Sequence, residues 1–107
     1  MGGMYIELKT DNLQELVQQY GTVMVQYGTG WCGNCRIMKP KFKKLAAGDE
    51  ATAFVYVDAE TFPVSRQMAQ VSNLPTFAAF KNGELVNQVQ TNQAELLKLL
   101  YDEVTRN

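Results

Sequence analysis

The sequence predicts an α/β domain with a mixed β-sheet, helices on both faces of the sheet and an antiparallel hairpin near the C-terminus. Extended and helical patterns alternate along the whole chain in the order β-α-β-α-β-α-β-β-α, which is typical of a sheet covered by helices. At 107 residues and 12.0 kDa, the chain can bury one core but not two. Asn82-Gly83, between two apolar stretches, is the strongest hairpin signal because both residues tolerate the positive φ angles of a type I′ turn.

The first half of the chain predicts three strands and two helices. The strands are runs rich in β-branched and aromatic residues at 5–8, 22–27 and 53–57. The last of these is the most apolar and is expected to be central in the sheet or nearly so. Thr10 or Asp11 can cap a first helix that ends at Gly21. A second helix is expected from Cys32 to about Leu45, with a kink at Pro40.

The second half predicts a short helix, the hairpin and a last helix. Pro63 is suited to the first turn of a helix that extends to about Ala69. The hairpin strands are expected at 76–80 and 85–89. Asn92 with Glu95 three residues later resembles a capping box, which predicts the start of a leucine-rich C-terminal helix.

The composition excludes several classes of site and partner. The chain has no histidine, which rules out Ser-His-Asp and Cys-His nucleophiles and histidine-based zinc sites. Ten basic and eleven acidic residues give a net charge of -1, which gives no electrostatic reason to bind nucleic acid. No apolar run approaches the roughly 20 residues that span a bilayer. We therefore expect a soluble, cytoplasmic chain with no metal, no nucleic-acid partner and no membrane partner.

Residues 4–107 are expected to form one domain. No Pro/Gly/Ser-rich linker, internal repeat or low-complexity stretch divides them. Met1, Gly2 and Gly3 precede a second methionine and are interpreted as a remnant of cloning, so residues 1–3 are left out of the fold prediction.

The only two cysteines lie in Trp31-Cys32-Gly33-Asn34-Cys35. A Cys-x-x-Cys that follows a strand and begins a helix places the first thiol among the free N–H groups of the helix N-terminus, which stabilise a thiolate. Cys32 is therefore the predicted nucleophile. Cys35, within one helical turn, is the predicted resolving thiol. The alternatives are an inert buried pair, or a metal knuckle that would need two further ligands.

With these elements the chain resembles the thioredoxin family over essentially all of residues 4–107. The resemblance rests on four separated elements in the family's order. They are the active-site motif Trp31-Cys32-Gly33-x-Cys35, the helix proline Pro40, the cis-proline segment Leu74-Pro75-Thr76 and the hairpin residues 80–84.

The resemblance implies a thioredoxin fold and a protein-disulfide reductase activity. It implies a monomer that needs no cofactor beyond a redox-active Cys32–Cys35 disulfide, acts on disulfide-containing client proteins and receives electrons from a thioredoxin-reductase-type donor. Pro75 is expected to be cis and to face the cysteines, and the backbone of Leu74, beside Thr76, to pair with an extended client segment.

The resemblance also assigns supporting roles to two residues near the cysteines. Trp31 would shield the sulfurs, and Asp58 would orient its indole, since an indole N–H wants an acceptor. The alternatives are plain core packing for Trp31 and a solvated carboxylate at the end of a strand for Asp58.

Four departures from the family pattern fall close to the predicted site. The proline between the cysteines is Asn34, which changes the dipeptide that tunes redox potential. The buried aspartate beneath the cysteines is Gln26, and the lysine beside it aligns with Phe54, so the charged pair is replaced as a unit. A glycine that flanks the substrate groove aligns near Gln90 or Thr91, where a side chain would narrow access.

These departures leave alternatives to general disulfide reduction. One is a client-restricted or more oxidising variant of the same chemistry, suggested by Asn34 and the altered groove. The other is a protein-protein adaptor that uses the same groove and whose redox activity is incidental.

Overall fold

A computed structural model describes residues 3–106 and confirms a five-stranded mixed sheet with helices on both faces. The strands are β1 (Met4–Glu7), β2 (Thr22–Gly28), β3 (Ala53–Asp58), β4 (Thr76–Lys81) and β5 (Glu84–Gln90), and the helices are α1 (Leu13–Gln19), α2 (Gly33–Ala47), α3 (Pro63–Arg66) and α4 (Ala94–Thr105). The predicted order of elements is confirmed. The largest change in bounds is at α3, which ends three residues before the predicted Ala69.

The sheet has the strand order β1-β3-β2-β4-β5. β1 and β2 both run parallel to β3, whereas β4 is antiparallel to β2 and β5 is antiparallel to β4. β2 is the central strand and β3 lies next to it, in agreement with the apolar character of both segments. β2 therefore ends near the middle of the sheet, on the side where β1 and β3 also have their C-terminal ends. The cysteine motif begins shortly after this point.

The two faces of the sheet carry separate apolar cores because alternate residues of β2 point to opposite sides. Val23, Val25 and Tyr27 pack on the face that α1 covers. Met24 packs on the other face, beneath residues of α2 and α4 that include Phe42 and Leu97. A strand buried on both faces reads as a continuous apolar run, which explains the pattern at 22–27.

The hairpin between β4 and β5 forms at the predicted turn. Asn82 has a φ of 53° and Gly83 a φ of 86°, so both turn residues adopt the left-handed conformation that the Asn-Gly pair was expected to supply. The helix proline Pro40 lies inside α2, which continues beyond it to Ala47.

The predicted caps of two helices are wrong. α1 begins one residue after Asn12, and neither Thr10 nor Asp11 caps it. Asp11 instead accepts hydrogen bonds from the backbone N–H groups of Val64 and Ser65, at 2.9 and 2.7 Å. The reason is that the loop before α1 runs beside the N-terminus of α3, whose free N–H groups lie within reach of this carboxylate.

The capping box predicted at Asn92 and Glu95 is also absent. α4 begins after Gln93, which makes no side-chain cap. The buried hydroxyl of Thr91 accepts a hydrogen bond from the N–H of Gln93 at 2.9 Å and fixes the turn before the helix.

Met1 and Gly2, two of the three residues attributed to cloning, lie outside the described residues. Gly3 packs against the end of α2, where its N–H donates to the carbonyl oxygen of Ala46 at 2.8 Å. A side chain at Gly3 would collide with the carbonyl oxygens of Ala46 and Asp49. The origin of residues 1–3 stays a prediction.

Candidate active site

The cysteine motif lies where β2 ends and α2 begins. Cys32 occupies the N-cap position of α2, and its sulfur accepts a hydrogen bond from the N–H of Cys35 at 3.2 Å. The first turn of a helix has N–H groups without intrahelical partners, and its positive dipole end favours a negative charge. The position of Cys32 at the helix N-terminus is therefore as predicted, and the local backbone favours a thiolate there.

Cys32 and Cys35 form a disulfide, with their Cα atoms 5.2 Å apart. Cys32 is 7% exposed and Cys35 is 1% exposed. The sulfur that an external disulfide can reach is thus that of Cys32, whereas Cys35 is enclosed. This difference supports the predicted division into an attacking and a resolving thiol, which stays a prediction.

A cavity of about 340 Å³ opens beside Cys32. Its lining is about equally polar and apolar and consists of Trp31, Cys32, Glu60, Arg66, Ser72, Asn73 and Leu74. The Leu74–Pro75 peptide bond is cis, as predicted. The hydroxyl of Thr76 donates to the carbonyl oxygen of Asn73 at 2.6 Å and closes the turn that presents Leu74. The structure therefore brings Leu74 of the predicted client-binding segment to the cavity beside Cys32, the more accessible of the two cysteines.

Trp31 is 67% exposed and lies over this cavity, so it is not a core residue. Its indole Nε1 donates to Oε2 of Glu60 at 3.1 Å, and the prediction that Asp58 is the partner is wrong. The reason is local: Oδ1 of Asp58 accepts from the N–H groups of Glu60 and Thr61, both at 3.0 Å, and caps the turn after β3. That turn brings Glu60 to the indole.

Gln26 lies beneath the cysteines and is fully buried. Its Nε2 donates to the carbonyl oxygen of Cys35 at 3.1 Å, which ties β2 to the first turn of α2. Its Oε1 has no hydrogen-bond partner among the described residues. The amide thus contacts the backbone of the resolving cysteine, as its predicted place beneath the motif requires.

The family model for thioredoxin matches residues 4–102. The chain belongs to the thioredoxin family. It carries the Cys-x-x-Cys disulfide on which the oxidoreductase chemistry of the family rests, and the thioredoxin fold predicted from the sequence is confirmed.

Three relatives illustrate the similarity. The chain is 31% identical over 88 residues to protein disulfide-isomerase A5 of Bos taurus, a match that covers 78% of this chain but 17% of that protein. The crystal structure of reduced Schistosoma mansoni thioredoxin pre-protein superposes with a TM-score of 0.87 at 32% identity, covering 95% of this chain and 99% of the other. A chain in the crystal structure of ferredoxin: thioredoxin reductase with thioredoxin f2 gives a TM-score of 0.85 at 25% identity, covering 99% and 98%. The chain thus spans less than a fifth of the first of these relatives.

The departures from the thioredoxin pattern are visible in the structure. Phe54 is buried between the rings of Phe42 and Tyr101, with ring centroids 5.2 and 5.8 Å away, so this position belongs to the apolar core. Gly33 and Asn34 are exposed in the first turn of α2, and a side chain at Gly33 would meet open space. The surface beside the disulfide is therefore open to solvent.

The predicted narrowing of the groove at Gln90 or Thr91 stays a prediction. Gln90 is exposed at the end of β5 and pairs with Thr76 of the predicted client-binding segment, whereas Thr91 is buried. Neither residue lines the cavity beside Cys32. The buried hydroxyl of Thr91 supports the start of α4.

Sequence reasoning missed three residues at the site: Glu60, Gly28 and Tyr56. The sequence does not reveal the role of Glu60, because its contact with the indole depends on the turn that Asp58 caps. Tyr56 is the register partner of Gln26 in the neighbouring strand and shares its face of the sheet, a pairing that spacing along the sequence does not reveal.

Residues 3–106 contain neither a candidate metal site nor a candidate membrane-spanning helix. No group of three or more cysteine and acidic side chains there could hold a metal ion. None of the described helices is both long and apolar enough to cross a membrane.

Proposed function

We propose that this chain reduces disulfide bonds of client proteins by thiol-disulfide exchange. The observation that carries the proposal is the position of Cys32: at the N-cap of α2, more exposed than Cys35, and next to the cavity formed with the cis-proline segment. The proposed reaction has two steps that use the two cysteines in turn.

In the first step, the Cys32 thiolate attacks one sulfur of the client disulfide. A Cys32–client disulfide forms, the client S–S bond breaks, and its second sulfur leaves as a thiolate. The N–H of Cys35, which now donates to the Cys32 sulfur at 3.2 Å, stabilises the attacking thiolate.

In the second step, the Cys35 thiolate attacks the Cys32 sulfur. The Cys32–Cys35 disulfide forms, the bond from Cys32 to the client breaks, and the client leaves reduced. Cys35 must first lose its proton to water or to the departing client thiolate, because Gln26 beneath it cannot take one.

The client is proposed to lie in the cavity beside Cys32 and to pair with the backbone at Leu74. The walls of this cavity carry Glu60 and Arg66, so both charges are available to select polar client segments. Electrons are proposed to come from a thioredoxin-reductase-type donor, supported by the similarity to a chain in a reductase complex. A monomer in the reducing cytoplasm is part of the same proposal, since a single Cys-x-x-Cys pair with no other cysteine suits that compartment.

The test is turnover of a protein disulfide by the wild type, Cys32→Ser and Cys35→Ser, with mass mapping after brief iodoacetamide treatment of the reduced protein. We expect rapid alkylation of Cys32 alone, loss of turnover in both variants, and accumulation of a client adduct only in Cys35→Ser.

Two results would contradict the proposal. Preferential alkylation of Cys35 would reverse the assigned roles. A Cys32→Ser variant that has lost turnover but keeps full affinity and biological effect on its partner would indicate the adaptor instead.

A further inference from the structure

The hydroxyl of Tyr56 lies beside Cys35 across a gap that only glycine leaves open. Tyr56 is on β3, opposite Gln26 of β2 and partly buried. A Cβ atom placed on Gly28 would lie 2.7 Å from the Tyr56 hydroxyl oxygen and 3.1 Å from both Cβ and Sγ of Cys35. The hydroxyl and the sulfur thus face the same small space, with no side chain between them.

The Tyr56 ring is held in place by charged groups from two other elements. Nζ of Lys39, one helical turn after Cys35 on α2, lies 4.3 Å from the ring centroid. The same ammonium group forms a 2.8 Å ion pair with Glu7 of β1, which also accepts a hydrogen bond from the Tyr5 hydroxyl at 3.1 Å. The ring therefore has a fixed orientation, while no hydrogen bond found in residues 3–106 uses its hydroxyl.

The surroundings of Tyr56 keep its hydroxyl protonated. Burial raises the pKa of Tyr56, and the carboxylates of Asp58 and Glu7 raise it further. A phenol that starts with a pKa near 10 and is shifted upward carries its proton throughout the neutral range. It can therefore donate a hydrogen bond to an anion but cannot act as a base.

We propose that the Tyr56 hydroxyl donates a hydrogen bond to the sulfur of Cys35 once the disulfide is open, and so stabilises the thiolate that resolves the client adduct. The proposal rests on the proposed function and concerns its second step. The thiol proton of Cys35 goes to water or to the departing client thiolate, the sulfur's electron pair forms the bond to Cys32, and the pair of the broken Cys32–client bond leaves on the client. Tyr56 keeps its own proton throughout.

The other polar groups near Cys35 make other contacts. One of the two Nε2 hydrogens of Gln26 is donated to the Cys35 carbonyl oxygen, and its Oε1 is an acceptor that would oppose a thiolate. Lys39 directs its ammonium group at Glu7 and the Tyr56 ring. Tyr56 differs from both because the single hydrogen of its hydroxyl makes no hydrogen bond within residues 3–106.

The test is stopped-flow reaction of the reduced protein with dithiobis(nitrobenzoate), in which attack and resolution each release one coloured thiolate. For Tyr56→Phe we expect an attack phase within about twofold of wild type and a resolution phase about tenfold slower near neutral pH, as the loss of one hydrogen bond to a charged group predicts. The midpoint of the pH profile of resolution should rise.

Two further variants separate this effect from general packing. Tyr5→Phe removes a hydroxyl bonded to the same Glu7 but not facing the sulfur, and should leave both phases unchanged. Gly28→Ala places a methyl group between the hydroxyl and Cys35, and should slow resolution although Tyr56 is present. Thermal unfolding of each variant confirms that it is folded. If Gly28→Ala does not fold, the result for Tyr56→Phe alone decides the test.

The proposal is overturned if Tyr56→Phe resolves at the wild-type rate with an unchanged pH profile, if both of its phases slow equally, or if Tyr5→Phe has the same effect. Absence of thiolate release by the wild type would be a different result, because it would contradict the proposed function itself.

Discussion

The two cysteines lie in opposite environments although only two residues, Gly33 and Asn34, stand between them in the sequence. Around Cys32 the side chains are exposed or partly exposed and most of them are polar, and the indole of Trp31 is held by a single hydrogen bond to Glu60. Around Cys35 they are buried or partly buried, and Gln26 and Tyr56 lie on adjacent strands of the sheet. Groups on the open side can change with little effect on stability, whereas any change on the enclosed side also changes the core.

This difference assigns the two steps of exchange to different parts of the molecule. Attack depends on what the open side presents to a client. Resolution depends on how readily Cys35 loses its proton on the enclosed side and how well its thiolate is stabilised there. Substitutions on the two sides should therefore affect different kinetic phases, and the size of the effect should fall from the enclosed side to the open one.

The largest effect is expected for Gln26→Asp. A buried carboxylate repels a thiolate, so the pKa of Cys32 should rise, and alkylation of Cys32 at neutral pH should slow. Loss of the bond to the Cys35 carbonyl should cost about 1–3 kcal/mol of stability. The measurements are the pH dependence of Cys32 alkylation and urea unfolding at several pH values.

The stability change has a definite sign with pH. Burial would raise the pKa of the new aspartate above its unfolded value near 4. The folded protein would then bind more protons than the unfolded one, so Gln26→Asp should lose further stability as the pH rises above about 4 and until the folded pKa is passed.

A matched control for this variant is Gln26→Leu, which also loses the hydrogen bond but adds no acid. We expect Gln26→Leu to be destabilised without a shift in the Cys32 pKa. If Gln26→Asp leaves both the alkylation profile and the partition between attack and resolution unchanged, position 26 is not coupled to the thiols.

A smaller effect is expected for Asn34→Pro, at the boundary of the two sides. Asparagine can offer a hydrogen bond to the thiolate and leaves the backbone freer than proline does, so it should favour the reduced dithiol. Asn34 is in the first helical turn, where proline is tolerated. Asn34→Pro should lower the reduction potential, and each tenfold change in the equilibrium constant with glutathione corresponds to about 30 mV.

The control is Asn34→Ala, which removes the amide without restricting the backbone. If the amide carries the effect, alanine should move the potential in the same direction as proline, and if the ring carries it, alanine should leave the potential near that of wild type. An unchanged or higher potential for Asn34→Pro rules out the hypothesis.

The smallest effect is expected for Glu60→Ala on the open side. The lost hydrogen bond is exposed, so stability should change by no more than about 0.5 kcal/mol, while the emission of Trp31, the single tryptophan, should change because its N–H becomes free. The comparison variant is Asp58→Ala, which removes the cap of the turn. Unchanged emission in Glu60→Ala beside altered emission in Asp58→Ala would restore Asp58 as the functional partner.

The parts of the molecule that were predictable from sequence are those that depend on neighbouring residues. The Asn82-Gly83 turn needs only two residues that tolerate positive φ. The placing of Cys32 at a helix start needs only a strand followed by a helical pattern. The cis state of Pro75 was implied by the family resemblance rather than by any local pattern.

The parts that were not predictable depend on contacts between distant segments. Asp11 was assigned to the nearest helix, but its carboxylate serves a helix more than fifty residues later. The Tyr56 hydroxyl and Cys35 both border the space at Gly28 because β3 lies beside β2 and Gly28 has no side chain. A single sequence carries no direct record of such pairings, so a capping or hydrogen-bond partner inferred from spacing alone can be the wrong one.

The bonds made by Asp11 also determine how rigid the client groove is. α3 has four residues, too few to be stable as an isolated helix, and it carries Arg66 on the wall of the cavity. Asp11 accepts hydrogen bonds from the first free N–H groups of α3. The hydroxyl oxygen of Ser65 accepts from the N–H of Leu13, and its carbonyl oxygen accepts from the hydroxyl of Tyr27. This wall therefore opens only together with the contacts of α1 and β2. Under the proposed function, a client docks on a surface that is already ordered, so the loss of conformational entropy on docking falls mainly on the client. Flexible client segments then bind at a greater entropic cost than rigid ones.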